Sequence, residues 1–230
     1  YIYIYKTQSV LVSASGDGII LKNLYGDINI FHIYNFPSLK IKPKGDVILR
    51  EKLNLAVDNI IFLYQGVLHK GRGIKAMIQL LEDFSNAHAV ILGNGPYKKE
   101  LQDFSEKMNL KKRIHFLGRV PYMEMLELTV GADVGFSLIR PISQSYDQAL
   151  PNKIFEYAIS NIPSLVSDLP EMKKIVKKHN IGLSVPYNDK SKQKEAIKKL
   201  LCINKKNNIQ KIALKKLVWE IQEKDFLKAL

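Results

Sequence analysis

From Asn59 onward, short apolar segments alternate with longer amphipathic ones, and this alternation restricts the fold more than any other feature of the sequence. Strands are predicted to begin near Ile60, His88, Arg113, Asp133, Ser164 and Ile181. Helices are predicted at 74–84, 97–108, 122–130, 152–160 and 171–178, and then as a long tail at 191–230 with a break around 204–208. Such alternation is typical of a parallel sheet with helices on both faces. The sequence therefore predicts an α/β fold built on a doubly wound parallel sheet.

The residues before this region follow a less regular pattern. Residues 1–8 alternate as a strand would, but we assign them no element. The following residues predict two strands at 9–15 and 28–37, a helix at 19–25 and a polar linker at 38–45. Between the first strand and the helix lies Gly16-Asp17-Gly18, predicted to be a turn. This glycine pair also suits a dinucleotide loop, but Leu21 replaces the third glycine, so a nicotinamide-dependent oxidoreductase is disfavoured.

The formal net charge of +13 restricts the possible partners. Many of the lysines lie between residues 173 and 228 on the polar sides of amphipathic helices, where a solvated face is the first interpretation. An anionic membrane surface is the second. Nucleic acid is the third and is not expected as a partner, because aromatic residues are not interleaved with the basic ones and no nucleic-acid-binding motif occurs.

The single cysteine, Cys202, lies in the apolar stripe of a predicted helix and is expected to be a buried thiol. A chain with one cysteine cannot form an internal disulfide, which favours a cytoplasmic location. The five histidines have no metal-ligand spacing, so no metal site is expected. His88 and His115 fall within predicted strands and are expected to be core residues.

The segment from Asp147 to Glu171 predicts a loop, a helix that begins with Pro151, and a short strand. Asn152, Lys153 and Glu156 fall on one side of that helix near its start. The free amides and the positive end of the dipole at this point suit an anion such as phosphate, and Lys153 adds a full charge. Glu156, one turn later, can accept hydrogen bonds from a pair of vicinal hydroxyls. The alternative is the solvated polar side of an ordinary surface helix.

Ligands of open α/β sheets bind at the carboxyl ends of the strands, so the loops that follow the strands are the candidate binding segments. Each of the loops below also has a simpler explanation as a tight or polar connection with incidental charges. The candidate binding residues in the loops at 64–73, 93–97, 116–121 and 137–148 are Gly66, Lys70, Gly71, Arg72, Gly73, Gly93, Gly95, Arg119, Val120 and Gln148.

The sequence PNKIFEY, followed by NIPSLVSDLPEM, resembles the donor-binding segment of the family 4 glycosyltransferases, which have the GT-B fold. The resemblance implies that Glu156 holds the ribose of a nucleotide. The family's first glutamate, eight positions earlier, corresponds to Gln148 here, and PNK-x-FEY sequences form a recognisable branch of the family. The G-x(n)-KG loop of the family implies that Arg72 binds the donor diphosphate. A second basic residue of that loop is replaced by Val67, and Lys70 is our candidate for the lost charge.

The resemblance further implies a retaining transfer of a sugar from a nucleoside-diphosphate sugar to a hydroxyl acceptor, in polysaccharide or glycolipid synthesis, without a metal or cofactor. Arg72 and Glu156 are the expected catalytic residues, and Leu150, Asn152 and Lys153 join the loop residues in binding the donor. Residues 46–230 would form the Rossmann-like donor domain, and residues 1–45 a remnant of the acceptor domain with its linker. The chain is therefore expected to be a fragment, a donor subunit completed by a partner chain, or a binding remnant without turnover. A lipid-linked acceptor and the inner face of a membrane are the expected surroundings.

Overall fold

The computed structural model describes residues 9–41, 48–202 and 209–229. Residues 1–8, the end of the predicted linker at 42–45 and the predicted helix break at 204–208 lie outside this part. The strands are β1 Val10–Val12, β2 Ile30–His32, β3 Ile60–Gln65, β4 Ala87–Leu92, β5 Ile114–Gly118, β6 Val134–Ser137, β7 Ser164–Ser167 and β8 Gly182–Val185. The helices are α1 Ser15–Tyr25, α2 Ile48–Lys52, α3 Ile74–Leu80, α4 Lys98–Lys107, α5 Tyr122–Val130, α6 Gln144–Asp147, α7 Lys153–Ile159, α8 Pro170–His179, α9 Lys190–Cys202, α10 Ile209–Lys216 and α11 Glu223–Lys228.

Strands β3 to β8 form one parallel sheet in the order β5-β4-β3-β6-β7-β8. Consecutive strands run outward from β3 in one direction to β5, and the chain then returns to β6 on the other side of β3. The predicted doubly wound parallel sheet is confirmed. Because the direction of winding reverses between β3 and β6, the loops at their carboxyl ends separate and leave a crevice for a ligand.

Helices cover both faces of this sheet. On one face α3, α4 and α9 bury Met77, Leu101 and Ile197 against the strands. On the other face α5, α7, α8 and α10 pack through residues such as Phe155 and Val176. Strand β3 lies at the centre and is apolar along nearly its whole length, as expected for a strand that is buried on both sides. We call β3 to β8 and these helices the large unit.

Strands β1 and β2 form a separate parallel pair, with α1 between them, and we call these three elements the small unit. Helix α1 begins at Ser15, so the predicted turn at Gly16-Asp17-Gly18 is wrong: these residues form the first turns of the helix. A side chain on Gly16 would collide with Gln148, and one on Gly18 would lie 3.0 Å from the ring of His32. The two glycines therefore allow α1 to pack closely against its surroundings.

Hydrogen bonds to the C-terminal part of the chain hold the small unit in place. The carboxylate of Glu171, at the start of α8, accepts hydrogen bonds from the hydroxyl of Ser15 at 2.6 Å and from its backbone N–H at 3.3 Å. The side chain of Gln222 exchanges hydrogen bonds with the backbone of Tyr34, which follows β2. The part of the chain around Gln222 therefore contacts the small unit, although it follows the large unit in the sequence.

Three other expectations need correction. Cys202 is exposed at the end of α9 rather than buried. His88 and His115 are half-buried, and their ring nitrogens lie 3.1 Å apart on neighbouring strands, so they form a pair rather than two separate core residues. Helix α7 begins at Lys153 and not at Pro151, whose carbonyl instead accepts a hydrogen bond from the N–H of Ile154.

Candidate functional site

An open cleft of about 840 Å³ lies at the carboxyl ends of β3, β4 and β5. Its walls bring together four residues that the sequence predicted from three separate loops: Gly66, Gly93, Arg119 and Val120. At the floor of the cleft the backbone at Gly93 comes unusually close to the backbone at Gly66. Gly93 has a φ of +142°, and a side chain there would lie 1.9 Å from the carbonyl oxygen of Gly66. These glycines keep the floor of the cleft free of side chains, so a ligand can approach the backbone closely.

The carboxylate of Glu156 is held in place by a buried relay of polar side chains. Gln65, which is 1% exposed at the end of β3, donates a hydrogen bond from its side-chain amide to Glu156. The amide is oriented in turn by Thr129, whose hydroxyl donates to Gln65 Oε1 at 2.9 Å. Burial raises the pKa of Glu156, while the hydrogen bond from Gln65 and the charge of Lys153 partly oppose this rise. The result is a carboxylate of fixed position that is available as a hydrogen-bond acceptor.

The Glu156 carboxylate also influences the wall of the large cleft. Tyr122 lines that cleft, and its pKa is raised to about 12, first by burial and then by the negative charge of Glu156. The carboxylate therefore lies close enough to the cleft to affect groups within it. Gln65, Thr129 and Tyr122 were not predicted as site residues. The only sequence signal for Gln65 is a polar residue that ends an otherwise apolar strand before a glycine.

Lys153 is the most unusual cation of the site, because it is only 8% exposed. Its ammonium lies 3.6 Å from the ring centroid of Tyr64, where the aromatic face partly compensates for lost hydration. The pKa of Lys153 is lowered to about 7, first by burial and then by the nearby charge of Arg72, while the charge of Glu156 partly opposes the shift. A side chain built on Gly66 would lie 3.6 Å from Lys153 Nζ, so this cation sits beside the floor of the large cleft.

Arg72 is held above the ring of Tyr146, with 4.9 Å from its guanidinium carbon to the ring centroid. It lines a second, smaller cleft of about 250 Å³ together with Gln148 and Leu150. Its charge acts on both Lys153 and Tyr64, so its guanidinium lies within electrostatic range of the Lys153 ammonium. The structure thus brings Arg72, Lys153 and Glu156 together, although they come from loops and helices far apart in the sequence.

Three further residues that the sequence predicted have other surroundings: Lys70, Asn152 and Gly95. Lys70 lines a third cleft with Gly71, Gly73 and Arg140, on the side of the loop where α3 begins. The side chain that lies beside Gly66 is Lys153. Asn152 is exposed at the start of α7 and makes no capping hydrogen bond. Gly95 packs against the backbone of Leu68.

Two features are absent from the described residues. In residues 9–41, 48–202 and 209–229, no group of three or more His, Cys, Asp or Glu side chains is placed to hold a metal ion. In the same ranges, none of the helices combines the length and the apolar character needed to span a bilayer.

The fold and the site together define a class of protein. A parallel sheet of this order matches the Rossmann-like fold found in GT-B glycosyltransferase structures, and two cations and an oriented carboxylate lie beside its switch point. The family model for glycosyl transferases group 1 matches residues 47–216. The chain belongs to this family.

Individual proteins agree with this assignment. A stretch of 146 residues, 61% of the chain, is 24% identical to an uncharacterized glycosyltransferase of Methanocaldococcus jannaschii. The structure superposes on sucrose-phosphate synthase from Thermosynechococcus elongatus with a TM-score of 0.80 at 19% identity, over 96% of this chain. For the Anabaena protein HepE in complex with UDP, the TM-score is 0.81 at 17% identity, over 97% of this chain.

All three proteins are longer than the matched region. The chain spans 32% of the Methanocaldococcus protein, 57% of the synthase and 64% of HepE. At these identities the structural matches establish the fold, and the donor and acceptor of this chain need their own arguments.

Proposed function

We propose that the chain is the donor-binding half of a retaining glycosyltransferase that transfers a sugar from a nucleoside-diphosphate sugar to a hydroxyl acceptor. The observation that carries this proposal is the buried ammonium of Lys153, which lies beside Gly66 at the floor of the large cleft and within electrostatic range of Arg72 and of the oriented Glu156 carboxylate. A buried cation without a bound anion is costly, and a diphosphate would supply the missing negative charge. HepE, of the same fold, was crystallised with UDP, UDP and glucose, and UDP-glucose.

Each residue has a role that follows from its position. Arg72 and Lys153 neutralise the charge that develops on the diphosphate when its bond to the sugar breaks, which is the main electrostatic task of the reaction. Glu156 accepts hydrogen bonds from the ribose hydroxyls, and Gln65 keeps it in position. The base lies in the large cleft between the backbone of Gly93 and the segment at Arg119. We propose that the reaction uses no metal or cofactor, because two basic side chains supply the positive charge.

We assign recognition of the acceptor to a part of the enzyme other than the residues described above. The chain spans 57% of the synthase and 64% of HepE, and the small unit contributes only one side of the smaller cleft. We propose that further N-terminal residues, or a partner chain that supplies them, complete the enzyme. A donor-binding subunit or remnant without turnover is the alternative, and it makes the same prediction for donor binding.

Calorimetric titration with UDP and GDP, and then with their sugar conjugates, tests the proposal. The unchanged chain should bind at least one of the two nucleotides. The double variant Arg72→Ala/Glu156→Ala should bind it at least about 100-fold more weakly, because two hydrogen bonds to charged groups are lost. The control is Lys111→Ala/Glu106→Ala, which removes one cation and one carboxylate from a surface ion pair of 2.6 Å. Equal binding by both double variants would refute the site.

We further propose that the enzyme works at the cytoplasmic face of a membrane and uses lipid-linked acceptors for polysaccharide or glycolipid synthesis. Helix α10 carries three lysines and no acidic residue, and the only acid of α8, Glu171, is buried against Ser15. Lysines of α9, in contrast, pair with Glu82 and Asp83. The chain should sediment with vesicles that contain anionic lipid and not with neutral ones. Equal sedimentation with both, or tighter binding to a random DNA duplex, would contradict this location.

A further inference from the structure

The smaller cleft, of about 250 Å³, is formed by both units of the molecule. The large unit contributes Arg72 and Gln148, and the small unit contributes Ser13 and Asp17. The cleft is about the size of one sugar ring and is too small for a whole nucleotide. Its polar lining offers hydrogen-bond donors and acceptors, as a sugar requires.

The position of this cleft relates it to the proposed diphosphate. Arg72 lines the smaller cleft, while its charge reaches Lys153 beside the floor of the larger one. A diphosphate held by these two cations would therefore have its nucleoside in the larger cleft and its other substituent in the smaller one. In a nucleoside-diphosphate sugar, that substituent is the sugar.

Asp17 is the carboxylate of this cleft. It lies in the first turn of α1 and is half-buried, and within the described parts of the chain its carboxylate makes no hydrogen bond or ion pair. Helix α1 is fixed beside the cleft, because Glu171 binds Ser15 and because the side chain of Gln148 packs against Gly16. A carboxylate on a fixed helix, with its oxygens free and facing a sugar-sized cleft, can accept hydrogen bonds from two neighbouring hydroxyls at once.

We propose that Asp17 determines donor specificity by binding hydroxyl groups of the donor sugar. This inference rests on the proposed function, since it needs a nucleoside-diphosphate sugar in the two clefts. Gln148 contributes an amide, which both donates and accepts, whereas Asp17 accepts only. The negative charge of Asp17 also disfavours a sugar that carries a carboxylate, so the cleft selects neutral sugars over uronic acids.

Calorimetry with three ligands separates the sugar from the nucleotide: UDP, UDP-glucose and UDP-glucuronate. In Asp17→Asn the dissociation constant for UDP-glucose should rise about 10-fold or more, because a charged acceptor is lost. The constant for UDP should change less than about twofold, since UDP has no sugar to reach Asp17. The preference for UDP-glucose over UDP-glucuronate should shrink. The matched control is Asp27→Asn, which alters an exposed carboxylate just after α1.

The outcomes distinguish this inference from the function on which it rests. If the unchanged chain binds neither UDP nor GDP, the proposed function itself fails. If it binds GDP rather than UDP, the same comparison is made with GDP and GDP-mannose. If nucleotide binding is normal but Asp17→Asn weakens the nucleotide and its sugar conjugate equally, or changes neither, the role of Asp17 is refuted.

Discussion

The large unit and the small unit are both built from parallel strands and helices, but they differ in how well their apolar side chains are shielded from solvent. In the large unit, helices pack on both faces and Phe62, at the centre of β3, is 0% exposed. In the small unit, Ile19 and Leu24 of α1 are 63% and 64% exposed. Parallel sheets are normally buried on both faces, and an isolated pair of strands is marginal in water. The large unit can therefore stabilise itself, whereas the small unit depends on its contacts with the rest of the chain.

This difference has a consequence for function. Both cations proposed to bind the diphosphate and the carboxylate proposed for the ribose belong to the large unit, where the packing is dense. Asp17, proposed to contact the sugar, belongs to the small unit and is positioned mainly through Glu171 and Gly16. Nucleotide binding should therefore survive changes that loosen the small unit, while discrimination between sugars should not.

The largest expected effect tests the packing itself. Phe62→Ala should lower the free energy of unfolding by about 3–5 kcal/mol, because it leaves a cavity against Phe84 and Phe136. Phe31→Ala, in the half-buried β2, should cost about 1 kcal/mol or less. Urea unfolding monitored by circular dichroism measures both. Similar losses from the two changes would mean that the units share one core, and the comparison would be wrong.

The next effect concerns the cation that the large unit buries. The pKa of Lys153 is about 7 in the folded chain and near 10.5 when the side chain is solvated, so folding favours its neutral form. A bound diphosphate favours the charged form and raises the pKa again. At pH 8 the chain should therefore take up close to one proton when it binds UDP or GDP, and its affinity should fall as the pH rises above 7. Lys153→Met should abolish the uptake and weaken nucleotide binding about 10- to 100-fold.

Titration at pH 8 in two buffers of different ionisation enthalpy measures this proton uptake directly. Lys70→Met is the matched control, since Lys70 lines another cleft and should not change the uptake. Lys153 should also give the free energy of unfolding a characteristic dependence on pH. Because its folded pKa is lowered, the free energy of unfolding should rise as the pH increases from 7 towards 10, and Lys153→Met should remove this rise. Proton uptake that persists in Lys153→Met would assign it to another group.

A smaller effect should appear where the two units meet. Glu171→Ala removes both hydrogen bonds to Ser15, at an expected cost of about 1–2 kcal/mol. Because the small unit depends on these bonds, the amides of α1 should exchange with deuterium about 10-fold faster, while those of β3 and β4 stay protected. Glu195→Ala, an exposed change on α9, serves as the control. Uniformly faster exchange throughout the chain would show that the units do not open separately.

The same contrast explains which parts of the structure could be predicted from the sequence. In the large unit, an apolar strand buried on both faces leaves a clear pattern, and β3 and β7 begin at Ile60 and Ser164 as predicted. In the small unit, burial is partial and the pattern is weak. Gly16 and Gly18 therefore suggested a turn, although their lack of side chains serves to pack a helix against Gln148 and His32.

For the site, two recognisable motifs predicted Glu156, Lys153 and Arg72, but the side chains that hold these residues in place depend on tertiary contacts. Gln65 and Thr129 are 64 positions apart and have no sequence pattern in common. That Lys70 replaces the cation lost at Val67 stays a prediction, and the structure shows these two positions of one loop lining different clefts. Lys70 is close to Val67 in the sequence, yet it is Lys153, from α7, that lies beside Gly66.

The smallest effect is expected at the edge of the large unit, where its cover is thinnest. His88 and His115 lie on β4 and the edge strand β5, with ring nitrogens 3.1 Å apart. Burial lowers the pKa of both rings, Arg113 lowers that of His88 further, and His88 lowers that of His115. The unfolded chain therefore binds more protons than the folded chain just below pH 6.5, and stability should fall as the pH falls through that range.

Because both rings are partly solvated, this loss should be below about 1 kcal/mol. Urea unfolding at pH 7.5 and pH 5.5 measures it, and His115→Leu should reduce the difference between the two conditions, while the exposed His69→Gln should not. An unchanged difference in His115→Leu would mean that the pair does not sense pH. The free energy of unfolding would then depend no more on the half-buried edge strand of the large unit than on its fully buried central strands as the pH falls. Partial exposure to solvent would in that case not be enough to explain why the two units differ.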